Sequence, residues 1–188
     1  MKHVKRIALT TTAAAATAAA AAAAATLLGT TAVQAYSARP ARLPAVHAPA
    51  ALAVPDGNKL TGVYSAHGVQ TYTCTDGAWK LLEPAATLSD RRDRAHRPVA
   101  LHSRGPVWVS TVDGSAVNAA AVATSAKDGA VPELLLKATA TRGAGTFEGV
   151  TYVQRLDTEG GVAPAAACTG TDQISVPYSA TYAFYKAS

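Results

Sequence analysis

The sequence has little cysteine, little charge and few aromatic side chains. With only two cysteines in 188 residues, it cannot form a disulfide-dense miniprotein or a four-cysteine zinc site. Charged residues make up 15% of the chain, which is too few for a coiled coil. Hydrophobic residues are abundant, at 49% of the chain, and many of them are alanine. The apolar segments among them argue against a disordered chain.

The first 35 residues have the organisation of a secretory signal peptide. Residues 2–6 form a positive n-region, an Ala- and Thr-rich run extends to Leu28, and Val33-Gln34-Ala35 offers a cleavage site after Ala35. The rival interpretation is a transmembrane anchor, which we disfavour because alanine and threonine gain little from transfer into lipid. We therefore expect a secreted protein, extracellular or associated with the cell wall, with no stable membrane anchor.

The net charge of the chain depends strongly on this leader. The full chain carries +5, but three basic residues belong to the first 35 residues, which contain no acid. The remainder has 14 basic and 12 acidic side chains, a net charge of +2. So small a charge gives no general attraction to nucleic acid or anionic lipid, and we expect no nucleic-acid partner.

The two cysteines, Cys74 and Cys168, are expected to pair if the protein is exported. The bridge would close a loop of about 95 residues and stabilise the fold by roughly 4–5 kcal/mol in the chain-entropy model. Two free buried thiols are the alternative. No Cys–His pattern has metal-ligand spacing, and we expect neither a metal nor a cofactor.

The mature chain divides into a Pro/Ala-rich extended segment, 36–55, and a β domain, 56–188. In the second part, short segments of β character are separated by Gly, Asp and Pro. About eight to nine strands with turns at short intervals predict an all-β fold, a single-domain antiparallel sandwich or barrel.

Several local patterns make specific predictions. Lys59–Ser65 and Val69–Cys74 are expected to form a hairpin around a three-residue loop, Ala66-His67-Gly68. Pro84 is expected to end the next strand, leaving a polar loop over residues 85–97. Asp113-Gly114 is a strong hairpin signal.

The later segments are also predicted as strands. Val131–Ala140 is expected to be a strand buried on both faces, with a helix opened by Pro132 as the alternative. Thr146–Leu156 alternates as a strand does. The last segment places Tyr178, Tyr182 and other apolar residues on one face, and Pro177 predicts an edge or a bulge there.

An ordered series of motifs resembles the secreted domain-of-unknown-function family numbered 3455, found in bacteria and fungi. The resemblance covers about residues 54–186. It rests on the following segments: Gly68–Cys74, Trp79, His102-x-x-Gly105-Pro106-x-Trp108, Asp113-Gly114-Ser115, Val150–Leu156, Cys168 and Val176–Tyr185. It implies a secreted β-rich domain with paired cysteines and no established activity. Glu133 stands where the family usually has Trp.

Some relatives carry a malate dehydrogenase label, which the residues here do not support. Gly143-x-Gly145-x-x-x-Gly149 lacks the spacing of the dinucleotide fingerprint, and no helix or spaced acid follows it in a βαβ unit. A nicotinamide-dependent dehydrogenase is therefore not expected, and whether the chain is an enzyme at all stays open.

Candidate site residues cluster at predicted strand ends. His102 and Asp113 are acid–base candidates, although Asp113 could simply cap its own turn and His102 could be a satisfied polar group at the rim. Trp79 and Trp108 could stack on a ligand or anchor the core. Arg155 could bind a carboxylate, either of a ligand or within the protein.

Two hypotheses follow from these residues. The first is a binding module for a small molecule or a wall polymer that uses Trp79, His102, Trp108, Asp113 and Arg155. The second is a small secreted hydrolase that uses His102 with a nearby carboxylate.

Overall fold

The computed structural model describes residues 42–188, and these residues build one closed barrel of eight antiparallel strands. The predicted all-β fold is confirmed in its barrel form. The predicted signal peptide, 1–35, and the start of the Pro/Ala-rich segment lie outside the described residues. The strands are β1 (Asn58–Thr75), β2 (Ala78–Asp90), β3 (Pro98–Ser103), β4 (Val107–Ser110), β5 (Ala116–Ser125), β6 (Glu133–Arg142), β7 (Val150–Gly160) and β8 (Gln173–Ala187).

The strand order gives the barrel two distinct ends. Each strand pairs with its neighbours in sequence, and β8 closes the barrel against β1. In such an up-and-down barrel alternate connections lie at the same end. The loops after β1, β3, β5 and β7 therefore share one end, and those after β2, β4 and β6 share the other.

A disulfide bond marks the first of these ends. Cys74, near the end of β1, is bonded to Cys168 in the loop between β7 and β8, with their Cα atoms 5.6 Å apart. The predicted pairing is confirmed. We call this end of the barrel the disulfide end, and the other the opposite end.

The barrel interior is filled by large apolar side chains on alternating strand positions. Phe147 and Phe184 pack with ring centroids 4.7 Å apart, and Trp108 lies edge-on to Phe184 at 5.8 Å. On β8, the predicted apolar face supplies Tyr178, Tyr182 and Phe184, all buried. This packing occupies much of the barrel interior.

A second, smaller apolar cluster lies on the outer face of the barrel. The segment before β1 includes one turn of 3-10 helix, Ala50–Leu52, and Leu52 is buried against Leu135 and Leu156. The neighbouring Leu136 belongs to the interior cluster. Adjacent residues of a strand face opposite sides, so the predicted burial of the 131–140 strand on both faces is confirmed for its two central leucines. It is wrong beyond Leu136, because residues 137, 139 and 140 are exposed.

The predicted hairpin at Ala66-His67-Gly68 is wrong. β1 runs without interruption from Asn58 to Thr75 and pairs with β2 and β8 on its two sides. Gly68 lies within this strand, and a Cβ atom there would overlap the Ala85 carbonyl oxygen and the Ala86 backbone. The glycine is required for the close approach of β1 and β2, not for a turn.

The predicted end of the strand at Pro84 is also wrong, because β2 continues to Asp90. Pro84 pairs with Gln70 of β1, whereas pairing between β2 and β3 begins only at Ala86. At Pro84 the strand therefore has a neighbour on one side alone, where a residue without an N–H can be accommodated.

The remaining predicted turns and strands agree with the structure, apart from small differences in where an element begins. Asp113-Gly114 lies in the connection between β4 and β5, as expected. The strand predicted over Thr146–Leu156 begins later, at Val150, because residues 146–149 form a turn. Pro177 lies one residue beyond the last pair between β7 and β8, Gly160 with Tyr178, and so sits at a local edge. Within residues 42–188, no helix is long and apolar enough to cross a membrane.

Candidate functional site

A cavity of about 310 Å³ lies inside the barrel toward the disulfide end. Every one of the eight strands contributes to its lining, as does the β3–β4 loop. The wall is mostly apolar, with Leu134 and Leu136 on one side and Pro106 from the loop. Leu81 at the rim is 56% exposed, which places the mouth of the cavity at the protein surface.

Three aromatic rings in mutual contact form one wall of the cavity. His102 and Trp108 are direct partners in the β3–β4 hairpin, and their rings stack with centroids 4.5 Å apart. Tyr182 of β8 presents its ring edge-on to both, at 5.2 Å and 5.3 Å. The hairpin register thus sets the stack, and barrel closure brings β8 against it.

His102 is a buried neutral histidine in this stack. Its Nδ1 lies 3.0 Å from the Val107 carbonyl oxygen, which can only accept, so Nδ1 carries the proton and Nε2 has a free lone pair. Burial lowers the pKa of His102 to about 4, and the nearby Arg155 adds to this effect. At neutral pH His102 is therefore uncharged.

Three residues of the cavity lining each carry a buried side-chain polar atom that has no hydrogen-bond partner among the described residues. They are Gln70 Nε2, Trp108 Nε1 and the Tyr182 hydroxyl. More than nine in ten buried polar groups in folded proteins are paired, and an unpaired one costs about 1–3 kcal/mol. Three such groups around a single cavity are a concentration that needs an explanation.

Tyr182 shows how closely these groups lie together. Burial raises the pKa of Tyr182, and the neighbouring Arg155 opposes that rise. Hydrogen-bonding contacts from Tyr178 and Arg155 also oppose the rise, although the Tyr182 hydroxyl makes no hydrogen bond of good geometry.

Arg155 of β7 brings a positive charge to the cavity. Its Nε and Nη2 donate to the Pro132 carbonyl oxygen at 3.0 Å and 2.8 Å, which holds the guanidinium in place. Within the described residues it forms no ion pair with a carboxylate. The cavity lining also includes Arg104 and Glu83, so with His102 neutral its formal charge is +1.

The structure brings three of the predicted site residues together and leaves two elsewhere. His102, Trp108 and Arg155 all line the cavity. Trp79 does not: its indole N–H donates to the Ala166 carbonyl oxygen at 3.1 Å, which fastens the β7–β8 loop near the disulfide.

Asp113 lies at the opposite end, in the loop between β4 and β5. One carboxylate oxygen accepts from the backbone N–H and hydroxyl of Ser115, and the other accepts from the same two groups of Thr146. These hydrogen bonds hold the pKa of Asp113 well below its usual range, and the one from the Ser115 hydroxyl has the largest effect. Asp113 therefore ties two loops together and is remote from the cavity.

Two cavity residues, Gln70 and Tyr182, are absent from the sequence-based candidates. Gln70 lies on the same strand face as Tyr72 and Cys74, both of which are buried. A polar amide in the middle of an inward-facing row is the signal that could have pointed to it. Tyr182 gave no comparable signal, because a tyrosine in an apolar row is ordinary core composition.

The structure thus defines a closed eight-stranded antiparallel barrel with one disulfide and an internal cavity whose mostly apolar wall includes a few polar residues. Within residues 42–188, no group of three or more His, Cys, Asp and Glu side chains has a metal-site arrangement.

The sequence matches the family described as "Protein of unknown function (DUF3455)" over residues 55–186, and the chain belongs to that family. No curated protein and no solved structure matches it. Glu133 accepts a hydrogen bond from the backbone N–H of Asp157 at 2.7 Å, and its carboxylate lies 3.4 Å from Lys127 Nζ.

Proposed function

We propose that the protein is a secreted, non-enzymatic β-barrel that binds one small molecule in the cavity at its disulfide end. The observation that carries this proposal is the set of three buried polar groups without partners in an otherwise apolar lining. An eight-stranded barrel is just wide enough to be filled by side chains or to hold one small ligand. A ligand with matching polar atoms would satisfy groups that the folded chain leaves unpaired.

The shape of the cavity favours a small molecule over a wall polymer. Its volume of about 310 Å³ is at the low end of small-molecule sites, roughly 300–1,000 Å³. Its lining comes from all eight strands, so the space is surrounded by the barrel wall. A polymer chain would need a groove that is open at both ends.

Two features support secretion. The Cys74–Cys168 disulfide is a bond that oxidising compartments maintain, and the first 35 residues have the pattern of an export signal. N-terminal sequencing of protein recovered from the medium of an exporting host tests this directly. We expect the mature chain to begin at Tyr36, and an uncleaved cell-bound chain would contradict the proposal.

The alternative, a hydrolase that uses His102, has less support. A general base needs an orienting partner and access to a reacting group. The His102 Nδ1 is hydrogen-bonded to the Val107 carbonyl oxygen, and no carboxylate or hydroxyl within the described residues makes a hydrogen bond to the ring. Asp113, the acid considered with it, lies at the opposite end of the barrel.

A cavity-blocking variant tests the proposed binding site. Ala121 lines the cavity, whereas its neighbour Ala120 does not, so Ala121→Phe and Ala120→Phe form a matched pair. Thermal-shift measurements would use benzyl alcohol, benzoate, benzylammonium and glucose as probes of different polarity and charge. A probe at 100 times its dissociation constant stabilises by about 2.7 kcal/mol.

We expect at least one probe to raise the melting temperature of the wild type and of Ala120→Phe but not of Ala121→Phe. In a Trp79→Phe background, Trp108 is the one remaining tryptophan, and its fluorescence should change with the same probe. If no probe binds, or if both phenylalanine variants respond alike, the cavity is not a binding site.

A further inference from the structure

We infer that the ligand of this cavity is a carboxylate carried on an apolar body about the size of one ring. This inference rests on the proposed function and specifies its chemistry. It comes from three properties of the lining taken together: what its polar groups can donate, what charge they leave unbalanced, and what the rest of the wall is made of.

The unpaired groups are suited to an acceptor. The Trp108 indole can only donate a hydrogen bond, the buried Gln70 Nε2 carries two N–H donors, and the Tyr182 hydroxyl can donate one. An ionised carboxylate is acceptor-only and has about four lone-pair sites, so one such group can accept from several donors. A ligand hydroxyl or amide would bring donors of its own, for which this set provides fewer acceptors.

The charge of the lining favours an anion. Arg155 is held by the Pro132 carbonyl oxygen, which supplies no negative charge, and no described carboxylate pairs with it. A guanidinium and a carboxylate form strong charge-assisted hydrogen bonds. His102 stays neutral beside it and therefore adds no competing charge.

The remainder of the wall favours an organic body. Leu134, Leu136, Pro106 and Ala121 present apolar surface around the polar groups. Water could satisfy the three donors, but it would neither balance Arg155 nor gain from contact with this surface. An inorganic anion would balance the charge and leave the apolar surface without a partner.

A matched set of probes separates these possibilities. Benzoate and benzamide have nearly the same shape and differ in charge and in donor capacity, whereas inorganic phosphate is an anion with no apolar body. Titration calorimetry at pH 7 would measure all three on the wild type. We expect benzoate to bind roughly 10- to 100-fold more tightly than benzamide, as for a hydrogen bond to a charged group, and phosphate not to bind detectably.

Variants then assign the preference to the named groups. Arg155→Gln should bring benzoate and benzamide to similar affinity, and Arg155→Lys should keep part of the difference. Tyr182→Phe should weaken benzoate binding by about tenfold or more and lower the melting temperature of the unliganded protein little, since the Tyr182 hydroxyl makes no hydrogen bond of good geometry.

Tyr72→Phe is the control for Tyr182→Phe. The Tyr72 hydroxyl is buried but donates to the Gly161 carbonyl oxygen at 2.6 Å, and Tyr72 does not line the cavity. This variant should lower the melting temperature and leave benzoate affinity unchanged. The two tyrosines are therefore expected to show opposite patterns of stability and binding.

The outcomes distinguish this inference from the proposed function. If benzamide binds as tightly as benzoate in the wild type, or if Tyr182→Phe and Arg155→Gln leave the benzoate preference intact, the carboxylate inference is wrong while the cavity remains a binding site. If neither ring compound binds and Ala121→Phe behaves as the wild type, the proposed function itself fails.

Discussion

His102 and Trp108 stack face to face across the β3–β4 hairpin, with ring centroids 4.5 Å apart and ring planes 5° from parallel. The indole covers the imidazole and excludes water from one of its faces. A charged imidazolium in this position would lose most of its hydration, which is why burial lowers the pKa of His102 to about 4. The stack therefore links the integrity of the cavity wall to the protonation of one side chain.

This link predicts that the barrel loses stability in mild acid. As the pH falls from the ordinary histidine value of 6.5 to about 4, the unfolded chain binds a proton at His102 before the folded chain does. The free energy of unfolding should fall by about 3 kcal/mol over this window, since one pKa unit corresponds to about 1.4 kcal/mol. Urea unfolding at successive pH values would measure it.

The control is His102→Phe, which keeps an aromatic ring in the stack and removes the titrating group. Its unfolding free energy should depend much less on pH between 6.5 and 4, whatever its absolute stability. Equal slopes for the two proteins would show that His102 does not titrate in this way.

Asp113 is predicted to matter for stability and not for binding. Asp113→Asn removes an acceptor from the network with Ser115 and Thr146 and should lower the melting temperature. Because the pKa of Asp113 is lowered in the folded state, its stabilising contribution is present above about pH 4 and is lost as the pH falls further. Thermal unfolding at pH 7 and pH 3 would show a smaller difference between variant and wild type in acid.

Asp128→Asn is the matched control, since Asp128 is exposed and makes no side-chain hydrogen bond within the described residues. It should leave the melting temperature unchanged, and neither variant should alter benzoate binding. A loss of binding in Asp113→Asn alone would restore Asp113 as a site residue.

Gly68→Ala is predicted to be strongly destabilising even though it adds only one methyl group. The new Cβ would collide with the Ala85 and Ala86 backbone, which belongs to the neighbouring strand and cannot move alone. Overpacking of this kind costs about 1–3 kcal/mol or more. His67→Ala, at an exposed neighbouring position, should be tolerated, and similar stabilities in urea unfolding would contradict the continuous β1–β2 pairing.

The disulfide is predicted to be a major source of stability. Cys74 and Cys168 are 94 residues apart, so their bond removes much of the freedom of the unfolded chain, worth about 4–5 kcal/mol in the chain-entropy model. The double variant Cys74→Ala with Cys168→Ala should unfold at a correspondingly lower urea concentration. The same loss should follow reduction of the wild type, and an unchanged midpoint in both cases would show that the bond does not stabilise the fold.

The sequence was sufficient to predict the class of fold, because alternation of apolar and polar residues is a local property. It also predicted a strand at 131–140 and the burial of its leucines on both faces, since consecutive leucines allow no polar side there. It failed at Gly68 and Pro84. Both residues usually interrupt strands, but the barrel accommodates each of them. At Gly68 the backbone of β2 approaches too closely for a side chain, and at Pro84 the strand has no neighbour on one side that would need an N–H.

The candidate site was predictable in part for a similar reason. His102, Gly105-Pro106 and Trp108 lie within one hairpin, so their proximity follows from local spacing. Asp113 follows them directly in sequence, yet the chain reverses direction and carries it to the opposite end of the barrel. Trp79 lies near the disulfide end but packs against the β7–β8 loop.

The order of residues alone therefore determined that this chain forms strands, which of their faces are apolar, and that its two cysteines are suited to pairing. Only closure of the barrel decided that Gln70 from β1, Trp108 from β4, Arg155 from β7 and Tyr182 from β8 surround one space. The physical reason is that side-chain alternation is encoded residue by residue. Which strands meet across the interior depends on pairing over the whole length of the chain.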